Sequence, residues 1–252
     1  MKLAVSGEGL GSVCTLEKIL EIIKKNGIRA IEIWPENIPV RAGKQLIHKR
    51  FYANRDVEKA RDILEQAGVK VACVCFGAGF VKELSENREL FSSELVRAVR
   101  TAHALGAKVV NHYCYFVAMG DVYSVDELKA YYADAIKEAE KYKIYLALEN
   151  EAHDITKNPV QMKKIVQAMD SEYFRTNYDA TNYYQAGYEG FPYAYEVLKD
   201  LIVHVHIKNG CVYCPEYGHR EECKGGAMTG RYTGNYIYYP VASDGAVNID
   251  GM

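Results

Sequence analysis

The chain alternates between short β-branched or apolar runs and longer stretches whose apolar residues recur at helical spacing. The short runs are residues 2–6, 30–34, 69–76, 108–113, 144–150, 175–179 and 202–208. Between them, Leu16, Ile19, Leu20 and Ile23 form one apolar stripe, and Val125, Leu128, Tyr132 and Ile136 another. Asn26-Gly27, Ala67-Gly68 and Leu105-Gly106 each stand directly before a strand-like run, where a left-handed cap closes a helix. This order predicts parallel strands joined by helical crossovers. Without a composition shift or a repeated half, an α/β fold of the (β/α)8 TIM barrel type is favoured over a doubly wound sheet. The expectation is one domain over 1–252, with a long irregular loop at 209–243 after the seventh strand. No eighth-strand pattern follows Lys208, so the barrel is expected to be completed by further chain or by a partner.

Composition narrows the functions. Lys plus Arg number 31 against 33 Asp plus Glu, and a net charge of −2 provides no global field for nucleic acid or an anionic membrane. The first run is too brief for a signal peptide, and no stretch approaches the roughly 20 apolar residues of a membrane span. A cytoplasmic protein with no membrane or nucleic-acid partner is expected. Seven Cys is an odd number, and Cys14, Cys73, Cys75 and Cys114 lie in or beside strand-like runs, as buried free thiols do.

In parallel barrels, catalytic groups come from the C-terminal ends of strands. Three such ends carry ionisable residues: Glu149 in Leu-Glu-Asn, Asp179 in Asn-Tyr-Asp-Ala-Thr-Asn, and His206 in His-Val-His-Ile-Lys-Asn. Two carboxylates and one imidazole converging on a point suit one divalent cation (Mn, Mg, Co or Zn); the alternative for a carboxylate taken alone is to cap the next helix or pair with a lysine, and for a lone His to be a hydrogen-bonded core residue. His204 alternates to the same face as His206, which lies nearer the rim. His112 reads as an acid/base group or as a core histidine, and Glu32 as a substrate ligand or an ion-pair partner.

The motifs at 148–150, 177–182 and 204–209, in that order, resemble the sugar phosphate isomerase/epimerase family, the xylose-isomerase-like barrels. The similarity in strand order covers most of the chain, and the three motifs are its specific part. The resemblance implies one metal held by Glu, Asp, His and a second Glu on an eighth strand. By position the first three are Glu149, Asp179 and His206, and residues 1–252 do not supply the fourth. It further implies an isomerase or epimerase of carbohydrate metabolism, acting on a sugar, sugar phosphate or polyol by proton transfer next to a carbonyl through an enediolate. Glu149 would serve as base or acid, with His112, Lys208, Asn182 and Glu32 near the substrate. Lyases and dehydratases of the inosose dehydratase or C-glycoside deglycosidase type share that first step. A metal-bearing binding subunit without catalysis is the competing reading, and the family's barrels often form symmetric homo-oligomers. The abasic-site endonucleases of similar fold need clustered metals and a basic face, which seven His and a charge of −2 argue against.

A second cluster, Cys211, Cys214, His219 and Cys223, has the short spacing of a closed tetrahedral zinc site; the alternative is a set of reduced cysteines in a loop. Tyr183, Tyr184, Tyr188, Tyr193 and Tyr195 either stack on a sugar or cover a rim. The basic stretch Arg41, Lys44, His48, Lys49, Arg50 and Arg55 reads as a solvated face or an anion contact. Gly7, Gly9 and Gly11 miss the dinucleotide-loop spacing and read as a substrate-side loop.

Overall fold

The computed structural model describes residues 2–77, 81–113, 124–212, 228–229 and 236–252. Its elements run β1 (Val5–Ser6), α1 (Glu8–Gly11), α2 (Leu16–Lys25), β2 (Ala30–Ile33), α3 (Val57–Ala67), β3 (Lys70–Phe76), α4 (Lys82–Glu86), α5 (Arg88–Ala104), β4 (Val109–Tyr113), α6 (Val125–Tyr142), β5 (Tyr145–Glu149), α7 (Pro159–Ala168), β6 (Phe174–Asp179), α8 (Ala180–Gln185), α9 (Tyr195–Leu198) and β7 (Ile202–His206). All seven expected strands are present within a few residues of their expected ends, and their order in the sheet is the chain order. Gly27, Gly68 and Gly106 have φ of +77°, +65° and +73°, the left-handed conformation their positions require.

By its contacts the chain divides into two compact units, the first made of Met1–His112, Asp126–Leu146 and Ser171–Tyr173, the second of Tyr113–Val125, Ala147–Asp170 and Phe174–Met252. In the first unit, α2 starts where the Thr15 hydroxyl accepts the Lys18 amide, and it buries the expected stripe of Leu16, Ile19, Leu20 and Ile23. Each such aliphatic side chain contributes about 1.5–3 kcal/mol by leaving water. On α5 the Phe91 ring meets Phe76 of β3 and Tyr132 of α6 edge-on, at centroid distances of 5.4 and 5.6 Å. β1 to β4 pair in parallel, with one register shift between β2 and β3 at Ile31/Glu32.

Arg55 is not part of a solvated face. It is buried, and its guanidinium donates to the carbonyls of Phe51, Ile38 and Lys49. Arg50 bridges Glu8 and Glu36, so two of the six basic residues are committed to structure. Gly7 and Gly11 lie against Asn37, where an added Cβ would come within 2.3 and 2.4 Å of its amide atoms. Close approach thus accounts for both glycines.

In the second unit, Leu148, Met162, Ile165, Phe174, Tyr178, Tyr183 and Leu198 form the core. Asn158 caps α7 through Oδ1, and Pro159 occupies the first helical position, where a missing amide hydrogen costs nothing. Within the stretch the sequence leaves irregular, β8 (Cys211–Val212), β9 (Met228–Thr229) and β10 (Tyr236–Tyr238) form an antiparallel sheet in the order β8-β10-β9. Asn209 ties the terminal segment down: its amide donates to Ala242 and Val247 carbonyls, and its oxygen accepts the Val247 amide.

Candidate metal centre

β5, β6 and β7 end on Glu149, Asp179 and His206, all in the second unit. Asp179 stands opposite His206 in the β6–β7 register, and Asn177 opposite His204. Glu149 and Asp179 are 1% and 0% exposed, so two carboxylates are carried into the interior. The Glu149 Oε1 atom lies 3.0 Å from His206 Nδ1, while Asn177 Nδ2 donates to Glu149 Oε2 at 3.2 Å. One ligand atom from each of Glu149, Asp179 and His206 lies within 4.8 Å of the other two. Metal–oxygen and metal–nitrogen bonds of about 2.0–2.2 Å span donor pairs up to roughly 4.4 Å apart, so a few tenths of an ångström of adjustment closes the set on one cation.

Asp179 is held from three sides. Its Oδ1 accepts the Asn182 amide and so caps α8, at 3.0 Å. Its backbone is gripped by the Asn150 side chain, which accepts Asp179 N–H at 2.9 Å and donates to Asp179 C=O at 2.8 Å. Its Oδ2 faces Lys208 Nζ at 3.0 Å, and the same ammonium donates to Asn182 Oδ1 at 2.8 Å. The Asn182 amide nitrogen donates in turn to Asn150 C=O. Burial works against the Lys208 charge, but Asp179, Glu149 and Glu151 outweigh it and hold the ammonium above its ordinary range. Burial, reinforced by the Glu149 charge, pushes the Glu151 carboxyl well up.

Of the expected site residues, Glu149, Asp179, His206, Lys208 and Asn182 are therefore brought together. His204 lies one step back along β7, its ring 5.5 Å from His206. His112 and Glu32 belong to the first unit: His112 is fully buried with its ring 5.1 Å from Tyr132, and Glu32 is buried beside Cys73 and Cys75. Cys211 starts β8, and Cys214, His219 and Cys223 lie outside the described residues. Tyr183 is a core residue, its ring 6.0 Å from that of Tyr178, and is not offered to a ligand.

Sequence reasoning assigned no role to Asn150, Asn177, Glu151 or Tyr239. Asn177 was detectable, since it shares a strand face with Asp179. Tyr239 was not: its ring centroid is 5.9 Å from Lys208 Nζ and its hydroxyl donates to Gln185, contacts made across a long excursion of chain.

The chain belongs to the xylose isomerase-like TIM barrel family, which residues 20–226 match. Among solved structures it is similar to a xylose isomerase-like TIM barrel protein from Mycobacterium smegmatis in complex with magnesium (16% identity, covering 98% of this chain and 83% of that one, TM-score 0.71). It is also similar to the probable 3-DHS dehydratase AsbF of Bacillus anthracis (16% identity, 100% and 87% covered, TM-score 0.67). A D-tagatose 3-epimerase-like protein is a further neighbour (20% identity, 86% and 79% covered, TM-score 0.64). No curated protein sequence matches the chain. Among the described residues, no helix is long and apolar enough to cross a membrane.

Proposed function

We propose that this protein is a divalent-metal-dependent isomerase or epimerase acting on a small carbohydrate, a sugar, sugar phosphate or polyol, by proton transfer next to a carbonyl. The observation that carries the reading is the convergence of buried Glu149 and Asp179 with His206 at three successive strand ends. Those three residues would hold one Mn, Mg, Co or Zn ion, and such a cation supplies polarisation of a carbonyl and stabilisation of enediolate charge. The magnesium-bound neighbour supports a cation at such a site, and the epimerase-like neighbour supports the carbohydrate class. Residues 1–252 are taken as one barrel domain in which 209–243 is an excursion after β7.

The chain's own groups divide the work. Glu149, oriented by Asn177 on one oxygen and His206 on the other, removes or returns the proton. Lys208, steadied by Asn182 and 40% exposed at its side chain, offers a cation to a substrate oxygen. Glu32 and His112 lie outside the geometry on which this reading rests.

A dehydratase is the second reading. Loss of water begins with the same proton abstraction, and the dehydratase AsbF matches the chain along its whole length. The deciding experiment incubates Mn-loaded protein with a panel of ketoses, aldoses and keto-inositols in D2O. Deuterium at the carbon beside the carbonyl supports the proposal if Glu149→Gln abolishes it, and loss of water from the product selects the second reading. No exchange with any of the panel, or exchange that survives in Glu149→Gln, counts against both.

A further inference from the structure

Tyr239 stands beside the candidate metal centre without a place in the proposed chemistry. It follows β10 directly, and β10 pairs antiparallel with β8, Tyr238 against Cys211 and Ile237 against Val212. One further step of that register brings Tyr239 level with Gly210, two residues past Lys208. Ile237 is 1% exposed and anchors the strand that Tyr239 extends. The excursion after β7 thus returns to its own starting point and delivers one aromatic ring there.

The ring centroid lies 5.9 Å from Lys208 Nζ, within the range of a cation–π contact. An ammonium has three hydrogens to donate. Two of those on Lys208 are directed at Asp179 Oδ2 (3.0 Å) and Asn182 Oδ1 (2.8 Å), which leaves one for a substrate oxygen. The aim of that third hydrogen depends on where the ammonium rests, and a flexible four-carbon stem, 40% exposed here, does not fix it alone. Tyr239 is itself held. Its hydroxyl donates to Gln185 Oε1 at 2.9 Å, and Gln185, 3% exposed, has its amide nitrogen 3.4 Å from His153 Nε2. Gln185 and Asn182 are three residues apart on α8 and share one face of it. One short helix, capped by Asp179, therefore holds Lys208 through Asn182 and the ring of Tyr239 through Gln185.

We infer that Tyr239 is a positioning residue for Lys208: its ring, latched to Gln185, steadies the ammonium so that the third hydrogen is presented to substrate. The alternative is a ring that only covers the rim, and the two differ in what the negative face of the ring contributes. The inference rests on the proposed function for its consequence in turnover, because there Lys208 holds a substrate oxygen. The contact between ring and ammonium belongs to the protein with or without substrate. Tyr239 acts through Lys208, and a Lys208 contact made alike in the bound substrate and the transition state shows, when weakened, as a raised KM with kcat retained.

The test keeps the shape of the ring and changes its charge distribution. The full chain is prepared as Tyr239→Phe and with pentafluorophenylalanine at the same position, each with Lys208 in place and with Lys208→Met. Fluorination erases the negative face of the ring, and unfolding by denaturant in the presence of a chelator then gives the coupling between the two side chains. With Lys208 in place, fluorination should lower the folding equilibrium constant by roughly two- to fivefold, the size of a cation–π contact at an exposed site. With Lys208→Met it should not lower it. In Mn-loaded protein acting on whichever panel substrate the wild type accepts, fluorination should raise KM by a similar factor with kcat retained, and only where Lys208 is present. Tyr239→Phe keeps the ring face and loses the hydrogen bond to Gln185, so its KM should fall between those of the wild type and the fluorinated protein. Equal effects of fluorination with and without Lys208, or a fall in kcat at unchanged KM, overturns the inference. Where no panel substrate is turned over, the proposed function fails, and the stability coupling alone decides whether the ring holds the ammonium.

Discussion

Glu149 Oε1 lies 3.0 Å from His206 Nδ1, two side chains 57 residues apart in sequence joined across the ends of β5 and β7. The contact places a carboxylate and an imidazole edge to edge with Asp179 within reach of both, a geometry that a divalent cation would bridge. Glu149→Gln keeps the shape and removes the charge. Its affinity for Mn2+, Co2+ and Zn2+, measured by calorimetry, is expected to fall more than 100-fold, because loss of even a residue that only orients a ligand costs about 10–100-fold. Unchanged affinity in that variant would exclude Glu149 as a ligand.

Asn150 acts on the site without entering it. Its side chain pairs with the Asp179 backbone as a neighbouring strand would, through two hydrogen bonds of 2.8 and 2.9 Å. Asn150→Ala leaves both buried backbone groups unsatisfied, at a cost of about 2–4 kcal/mol. Denaturant titration is expected to show that loss, and metal affinity is expected to fall 10–100-fold. Asn150→Asp keeps the acceptor and loses the donor, so it should fall between the two. A variant with wild-type metal affinity would mean that Asp179 is positioned by its cap and by Lys208 alone.

Lys208 occupies the Asp179 oxygen that a bound cation would take. The ammonium is 3.0 Å from Asp179 Oδ2, and its side chain is 40% exposed. Lys208→Met removes the charge that compensates Asp179 in the metal-free protein. After allowance for solvent screening, the loss is about 1–2 kcal/mol. Saturating Mn2+ should restore most of this stability by binding the folded state. The comparison is the melting temperature of each protein in chelator and in Mn2+. Equal destabilisation in both media would show that no cation takes the place of Lys208.

The strand ends were legible because period-two alternation and rim position are local properties: Glu149, Asp179 and His206 each announce themselves within six residues of sequence. What surrounds them was not. Asn150 meets Asp179 across 29 residues, and Lys208 meets Asn182 across 26, distances over which sequence spacing carries no contact information. Tyr183 illustrates the opposite error, an aromatic near a rim that α8 turns into the core. Arg55 looked like part of a charged face because its charge is local, whereas the carbonyls of Ile38 and Lys49 that receive it are set by the loop fold. The encounter of Glu32 with Cys73 depends on one extra residue in β3, and a strand pattern does not mark where pairing slips.

Asp154 makes stability depend on pH in a direction opposite to the usual acidic side chain. It is buried; Oδ1 accepts the amide and hydroxyl of Thr156, and Oδ2 has no hydrogen-bond partner among the described residues. Burial raises its carboxyl from 3.8 to about 7, against the lowering effect of the Thr156 hydrogen bonds. The folded state therefore holds a proton that the unfolded chain releases. Its stabilising contribution is complete below about pH 4 and declines by about 1.4 kcal/mol per pH unit until about pH 7, above which it is gone. Asp154→Asn keeps the Oδ1 acceptor and cannot ionise. Other carboxylates titrate in the same window, so the quantity to follow is the difference in unfolding free energy between variant and wild type. That difference should grow in favour of the variant from pH 4 to pH 7 and be flat above it. A difference independent of pH would mean that Asp154 titrates as an ordinary carboxylate and that water reaches Oδ2.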